Sequence, residues 1–276
     1  MSVSEKRVND EKGNGPSEAW QGVFREISDP SAAEFSHRRS EATMTAVFAH
    51  RGCTEGGAAE NSLAAFSEAR RLGAAGVELD VRLTKDGGLA VHHDAAIPGV
   101  GVIHELAVSD LPPNVPLLAD VLAVCEGMTV NVEIKNAPQD PGWDPGEAVA
   151  ALTAATIDEA GWTSGVIVSS FQADTLAAVR AADGRLALGA LWGFGTDPGP
   201  GIDEAAAAGF RAVHPFVLSV TPDLVTRAHA AGLAVNVWTV NAVDDLVRMV
   251  ELGVDAVITD RVRDALGVAD GDAPRE

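Results

Sequence analysis

Cysteine is nearly absent: Cys53 and Cys125 are all that the 276-residue chain contains. Two are too few for a disulfide framework in a domain of this size and point to free thiols in a reducing compartment. Basic residues are also scarce, with 20 Lys and Arg against 40 Asp and Glu and a formal net charge of -20 at pH 7. Residues 1–43 hold eight acids and six bases, so nearly all of the excess belongs to the remainder. Such a field repels polyanions, which argues against nucleic acid and anionic membrane as partners. A phosphate-bearing small substrate would need local help from a metal, Arg or Lys. No apolar run approaches the ~20 residues of a membrane-spanning helix, so no stable membrane association is expected. Met1 to Arg7 carry charge with no apolar segment behind it, unlike a secretory signal, and a cytoplasmic protein is the expectation. Missing as well is a Gly-x-Gly-x-x-Gly run after the first strand-like segment, which argues against a doubly wound dinucleotide fold.

What is present is ordinary globular composition, 46% hydrophobic and 22% charged, in a repeating order. Residues 1–43 read as a polar tail with one short amphipathic stripe, Trp20, Val23, Phe24 and Ile27. Residues 44–268 read as one domain, and 269–276 as a short polar C-terminal tail. Within the domain, strand-like runs alternate with helical stripes. Asn61-Ser62 caps a helix bearing Leu63, Phe66, Ala69 and Leu72, and Thr221-Pro222 opens another. Gly161, Gly184, Gly209, Gly232 and Gly253 are each expected to end a helix ahead of the next strand, spaced 23, 25, 23 and 21 residues apart. Eight such strand-helix units in about 250 residues predict a (β/α)8 TIM barrel, α/β in class.

The chemistry gathers where strands end. In Gly76-Val77-Glu78-Leu79-Asp80-Val81, strand parity puts Glu78 and Asp80 on one face and the three apolar residues on the other. Two carboxylates side by side disfavour joint ionisation unless a cation lies between them. Glu133 and Lys135 repeat the same i, i+2 spacing, making Glu133 a third metal ligand. Three oxygen donors without cysteine suit one hard divalent cation, Ca2+ or Mg2+. His50 and His93 are candidates for an acid and base pair, because imidazole titrates near neutrality. Arg51 and Lys135 would contact a phosphoryl group. Trp192 and Trp238, at the ends of later strands, are candidates to line the substrate pocket. His104, His214 and His229 read as structural histidines.

The ordered set His50-Arg51-Gly52, Glu60-Asn61-Ser62, Glu78-Leu79-Asp80-Val81, Thr84-Lys85-Asp86-Gly87, His93-Asp94, Glu133-Ile134-Lys135, Ser170-Phe171 and Trp238-Thr239-Val240-Asn241 resembles the glycerophosphodiester phosphodiesterase family. The resemblance runs from about Val47 to Asp260. It implies a TIM barrel that hydrolyses glycerophosphodiesters to an alcohol and glycerol 3-phosphate with a divalent cation. It also implies Glu78, Asp80 and Glu133 as metal ligands, His50 and His93 as acid and base, and Arg51 and Lys135 as phosphate contacts. A cyclic phosphate formed by the neighbouring glycerol hydroxyl is the route it implies. Two departures stand out: Ala59 in place of a common proline, and Ala95-Ala96-Ile97-Pro98-Gly99 where an Arg and Thr are usual. The same barrel is similar to lipid-directed phospholipase and sphingomyelinase D-type phosphodiesterases, and a non-catalytic phosphodiester-binding barrel is a further alternative.

Overall fold

Buried apolar series on one parity of the strands build the architecture. The computed structural model describes residues 44–196 and 199–271. The expected N-terminal tail and its Trp20 to Ile27 stripe lie outside these residues.

The order is β1 (Ala46–His50), α1 (Leu63–Leu72), β2 (Gly76–Leu83), β3 (Leu89–Val91), β4 (Ala96–Ile97), β5 (Gly101–Val102), α2 (Leu118–Val124) and β6 (Thr129–Ile134). There follow α3 (Ala148–Glu159), β7 (Val166–Ser170), α4 (Ala173–Ala182), β8 (Ala187–Trp192), α5 (Gly199–Ala207) and β9 (Ala212–Pro215). The chain continues with α6 (Pro222–Ala230), β10 (Ala234–Val237), α7 (Val243–Leu252), β11 (Ala256–Thr259) and α8 (Val262–Ala269). Ala269 is thus helical, one residue beyond the expected domain boundary.

Strands β1, β2 and β6 to β11 are parallel, and β1 pairs with both β2 and β11, which closes an eight-stranded barrel. The open doubly wound sheet is thereby excluded. β3 adds an antiparallel ribbon to the end of β2, and β4 and β5 form a two-residue hairpin beyond it.

Val77, Leu79 and Val81 of β2, and Val130, Val132 and Ile134 of β6, are fully buried against the helical ring. Each such side chain contributes about 1.5–3 kcal/mol over leaving it in water. Opposite parity points into the barrel. Gly76 of β2 is a close approach there: a Cβ would stand 2.6 Å from the Thr129 carbonyl and 2.8 Å from the Phe48 ring.

Helix ends follow the expected chemistry with one exception. Ser62 accepts from the Ala65 amide, Thr221 accepts from the Leu224 amide, and Pro222 opens α6. Gly161, Gly209, Gly232 and Gly253 adopt left-handed φ of 69° to 78°. Gly184 does not. The α4 cap is extended Asp183, whose carboxylate accepts from the Arg185 amide and guanidinium and makes the turn that a left-handed glycine makes elsewhere.

Candidate active site

The parallel strands deliver their carboxyl ends to one mouth, and the expected residues meet there. Glu78 and Asp80 lie on the inward face of β2, and Asp80 is in register with Glu133 of β6. Carboxylate oxygens of Glu78, Asp80 and Glu133 lie within 4.8 Å of one another, all three side chains buried. Glu78 has its Oε1 buried with no hydrogen-bond partner, an arrangement that an oxygen-liking cation would relieve. Burial first, and then the charge of Asp80, push the Glu78 carboxyl up to about 8. Burial pushes Asp80 up as well, but Lys135 and Arg51 outweigh it and hold this carboxyl well below the usual range. The chemistry of the donor set therefore fits a hard divalent cation.

Lys135 reaches Glu133 Oε1 at 2.6 Å and Asp80 Oδ1 at 3.3 Å. Arg51 lies in a left-handed turn, φ 54°, directly after β1. Its backbone amide donates to Glu78 Oε2, and its guanidinium lies 3.2 Å from Asp80 Oδ2 and 3.3 Å from Glu60 Oε1. Both cations expected at a phosphoryl group thus touch the carboxylates directly, offsetting a charge that would otherwise be costly to bury.

His50 and His93 line the same cleft, whose cavity volume is about 120 Å³ and whose walls include Asn131, Phe171, Gln172 and Trp238. His50 Nδ1 donates to Asp260 Oδ1 at 2.8 Å, and its Nε2 stands 3.9 Å from Glu78 Oε2. Burial and Arg51 lower the His50 pKa, yet Asp260 and Glu78 outweigh them and the net shift is upward. His93 Nδ1 bonds Asp94 Oδ1 at 2.7 Å. Burial, then Lys135, push His93 down to about 3. Each histidine therefore spends Nδ1 on a carboxylate and keeps Nε2 for chemistry. β3 stops at Val91, so a turn, rather than strand parity, sends His93 inward; His92 instead bonds the Asp94 carbonyl.

Trp238 lines the cleft and donates its indole N–H to the His214 carbonyl at 2.8 Å, so it presents a ring and no free polar atom to the cleft. It stands edge-on to Phe171, whose ring lies 5.9 Å from Lys135 Nζ. Trp192 does not join it. Leu191 takes the inward parity of β8, so Trp192 turns outward and packs on Gly201 of α5, where a Cβ would come within 2.6 Å of the indole.

Several polar partners were not assigned roles from sequence. Asp260 orients His50, and Asn241 orients Asp260 by donating from Nδ2 at 2.7 Å and accepting the Asp260 amide at 2.9 Å. Asn61 donates to Asp80 Oδ2 at 2.8 Å. Asn131 lies in register with Glu78 and keeps a buried Oδ1 with no hydrogen-bond partner. Only the i, i+2 spacing of Asn131 to Glu133 signals it in the sequence. Of the structural histidines, His229 bonds Asp255 at 2.8 Å. His214 is fully buried and accepts at Nε2 from Asn236, while its Nδ1 has no partner.

Comparison with known proteins accords with this geometry. Residues 50–264 match the glycerophosphoryl diester phosphodiesterase family. The chain belongs to this family. A member from Caldanaerobacter subterraneus subsp. tengcongensis, a glycerophosphodiester phosphodiesterase, is 32% identical over 237 residues, covering 78% of this chain and 94% of the relative. One from Bacillus altitudinis, of the same designation, is 30% identical over 242 residues, 79% and 95% of the two chains. Among solved structures, an Oleispira antarctica phosphodiesterase in complex with the product sn-glycerol 3-phosphate superposes with a TM-score of 0.73 at 23% identity, covering 82% of this chain and 97% of that one. A Parabacteroides distasonis glycerophosphodiester phosphodiesterase gives 0.73 at 24% identity, covering 84% and 99%. These structures share the barrel fold. No helix among the described residues is long and apolar enough to cross a membrane.

Proposed function

We propose that this family member hydrolyses small glycerophosphodiesters to an alcohol and glycerol 3-phosphate, using one divalent cation, Ca2+ or Mg2+, and a His50–His93 acid and base pair. The observation that carries the reading is a single cleft lined by Glu78, Glu133, His50 and His93, with Asp80 completing the buried carboxylate cluster and each histidine held by its own carboxylate. Glu78, Asp80 and Glu133 would hold the cation. When bound, it supplies charge neutralisation for a non-bridging phosphoryl oxygen. Arg51 and Lys135 add positive charge at the same place, compensating a chain of net charge -20.

His93, kept neutral, accepts the proton of the attacking hydroxyl as the new oxygen–phosphorus bond forms. His50, held by Asp260 at Nδ1, gives the proton on Nε2 to the alcohol oxygen as the old bond breaks. With the neighbouring glycerol hydroxyl as nucleophile, the product of this step is a cyclic phosphate. Water then opens it, with His50 now accepting a proton and His93 returning one. Trp238 and Phe171 present apolar ring faces to the carbon portion of the ligand. Asp260 and Asn241 fix the tautomer of His50, an arrangement that turnover needs and passive binding does not, which favours an enzyme over a binding barrel. The acidic body and the small charged cleft favour a soluble diester over a lipid surface, and we assign the protein to the cytoplasm.

The test is release of glycerol 3-phosphate from glycerophosphocholine and glycerophosphoethanolamine, before and after chelation and after adding back Ca2+ or Mg2+. Activity lost to chelator and restored by a cation is expected. Undiminished activity in chelator would refute the cation's role, and no release from any glycerophosphodiester would refute the substrate class.

A further inference from the structure

The parity that sets Glu78 and Asp80 on the inward face of β2 continues one step further, to Arg82. β2 is eight residues long, and its pairing with β6 stops at Val81, so Arg82 stands above the barrel rim and over the cleft it helps to line. Its guanidinium bonds across that rim in two directions. Nε donates to the His93 carbonyl at 2.6 Å, and Nη1 pairs with Asp140 Oδ2 at 3.0 Å. The Arg82 side chain is 11% exposed, so these bonds form largely out of water. A charged donor on a carbonyl, and a paired carboxylate, are the stronger kind of hydrogen bond in such a place.

His93 needs such support. It follows β3 in a turn, outside any strand, and the residues directly after it form a hairpin whose strands β4 and β5 are only two residues each. The amide of His92 is fixed by the Asp80 carbonyl at 3.0 Å. The carbonyl of His93 is fixed by Arg82. Asp140 belongs to the loop between the neighbouring strand β6 and α3, which supplies Ala137, Gln139 and Asp140 to the cleft wall. One side chain thereby ties the strand of the carboxylates to the loop of the base and to the loop that follows β6.

We propose that Arg82 is a positioning residue: it latches the His93 turn and the Asp140 loop to β2, and so sets where the His93 imidazole stands relative to the phosphorus. It acts through His93 and not by holding the ligand. The inference rests on the hydrolytic reading above, and the experiment separates the two.

Full-length wild type, Arg82→Gln, Arg82→Lys and Asp140→Asn would be compared in steady-state release of glycerol 3-phosphate and in amide hydrogen exchange. Arg82→Gln is expected to lower kcat about 100-fold with KM little changed, because a misplacement of about 1 Å costs that much. Arg82→Lys, which retains a charged donor for one partner, should recover part of the loss. Asp140→Asn, which can still accept, should lose less than Arg82→Gln. In Arg82→Gln the amides of His92 and Ile103, bonded to Asp80 and Ala95, should exchange faster while those of β6 stay protected. A raised KM with kcat intact would make Arg82 a ligand contact and overturn the proposal, as would unchanged exchange around His93. Should Arg82→Gln fail to fold, Arg82→Lys and Asp140→Asn carry the same two readouts. If wild type releases no product while the exchange pattern holds, the activity fails and the latch stands.

Discussion

Burying His214 without charge makes the barrel sensitive to acid, and the size of the effect follows from its surroundings. Its ring fills the space over Gly189, where a Cβ would lie 2.5 Å from Nε2, and Asn236 donates to that Nε2. Burial lowers the pKa from 6.5 to about 3. The unfolded chain therefore binds a proton below about pH 6.5 that the folded chain refuses until about pH 3. In that window the unfolded state holds more protons, so stability falls as pH falls. The slope approaches about 1.4 kcal/mol per pH unit, and the loss between pH 7 and pH 5 comes to about 2 kcal/mol. His214→Gln keeps an acceptor for Asn236 and does not titrate, so it should remove this loss while costing some stability at pH 7. Urea unfolding midpoints of both proteins at the two pH values give the comparison, in which other titrating groups cancel. Parallel loss of stability in the two proteins would show that His214 is not the acid-sensitive group.

The site should come apart in a defined order. Asp80→Asn is expected to weaken Ca2+ or Mg2+ binding, read by calorimetry, together with activity, whereas His50→Ala and His93→Ala should abolish turnover and leave cation binding largely intact. Asp260→Asn keeps the volume but removes the carboxylate on His50 Nδ1; about a 100-fold loss in kcat is expected, within the range of a positioned proton donor. A normal pH–rate profile in that variant would argue against the pairing.

Strand parity made the carboxylates readable: a period of two leaves no freedom about which face Glu78, Asp80 and Glu133 share, once Val77, Leu79 and Ile134 are committed to the helices. The barrel was legible for a related reason, since each strand's apolar series and the capping chemistry of Ser62, Thr221 and Gly253 repeat in order. Pairings that bring a turn or loop side chain onto a site residue were not legible. Asp260 meets His50 across 210 positions, Asn61 reaches Asp80 from a left-handed turn, and Asp140 meets Arg82 from a loop. No periodicity encodes such meetings. Gly184 was misread because an acidic side chain can make the turn that a left-handed glycine makes elsewhere, and Trp192 because a one-residue offset at a strand end reverses the face.

The length of β2 also constrains how the gene can change. Glu78, Asp80 and Arg82 occupy alternate positions on one strand that pairs with β1 from Gly76 to Glu78 and with β6 from Gly76 to Val81. Substitutions at Val77, Leu79 or Val81 need only preserve bulk and apolarity. Insertion or deletion of a single residue just ahead of Glu78, however, would turn all three charged groups toward the helices at once and bring the apolar ones to the cleft, and one between them would split the set across the two faces. Lineages descended from this chain are therefore free to drift in spelling here but not in count, and indels should be confined to the turns beyond Leu83.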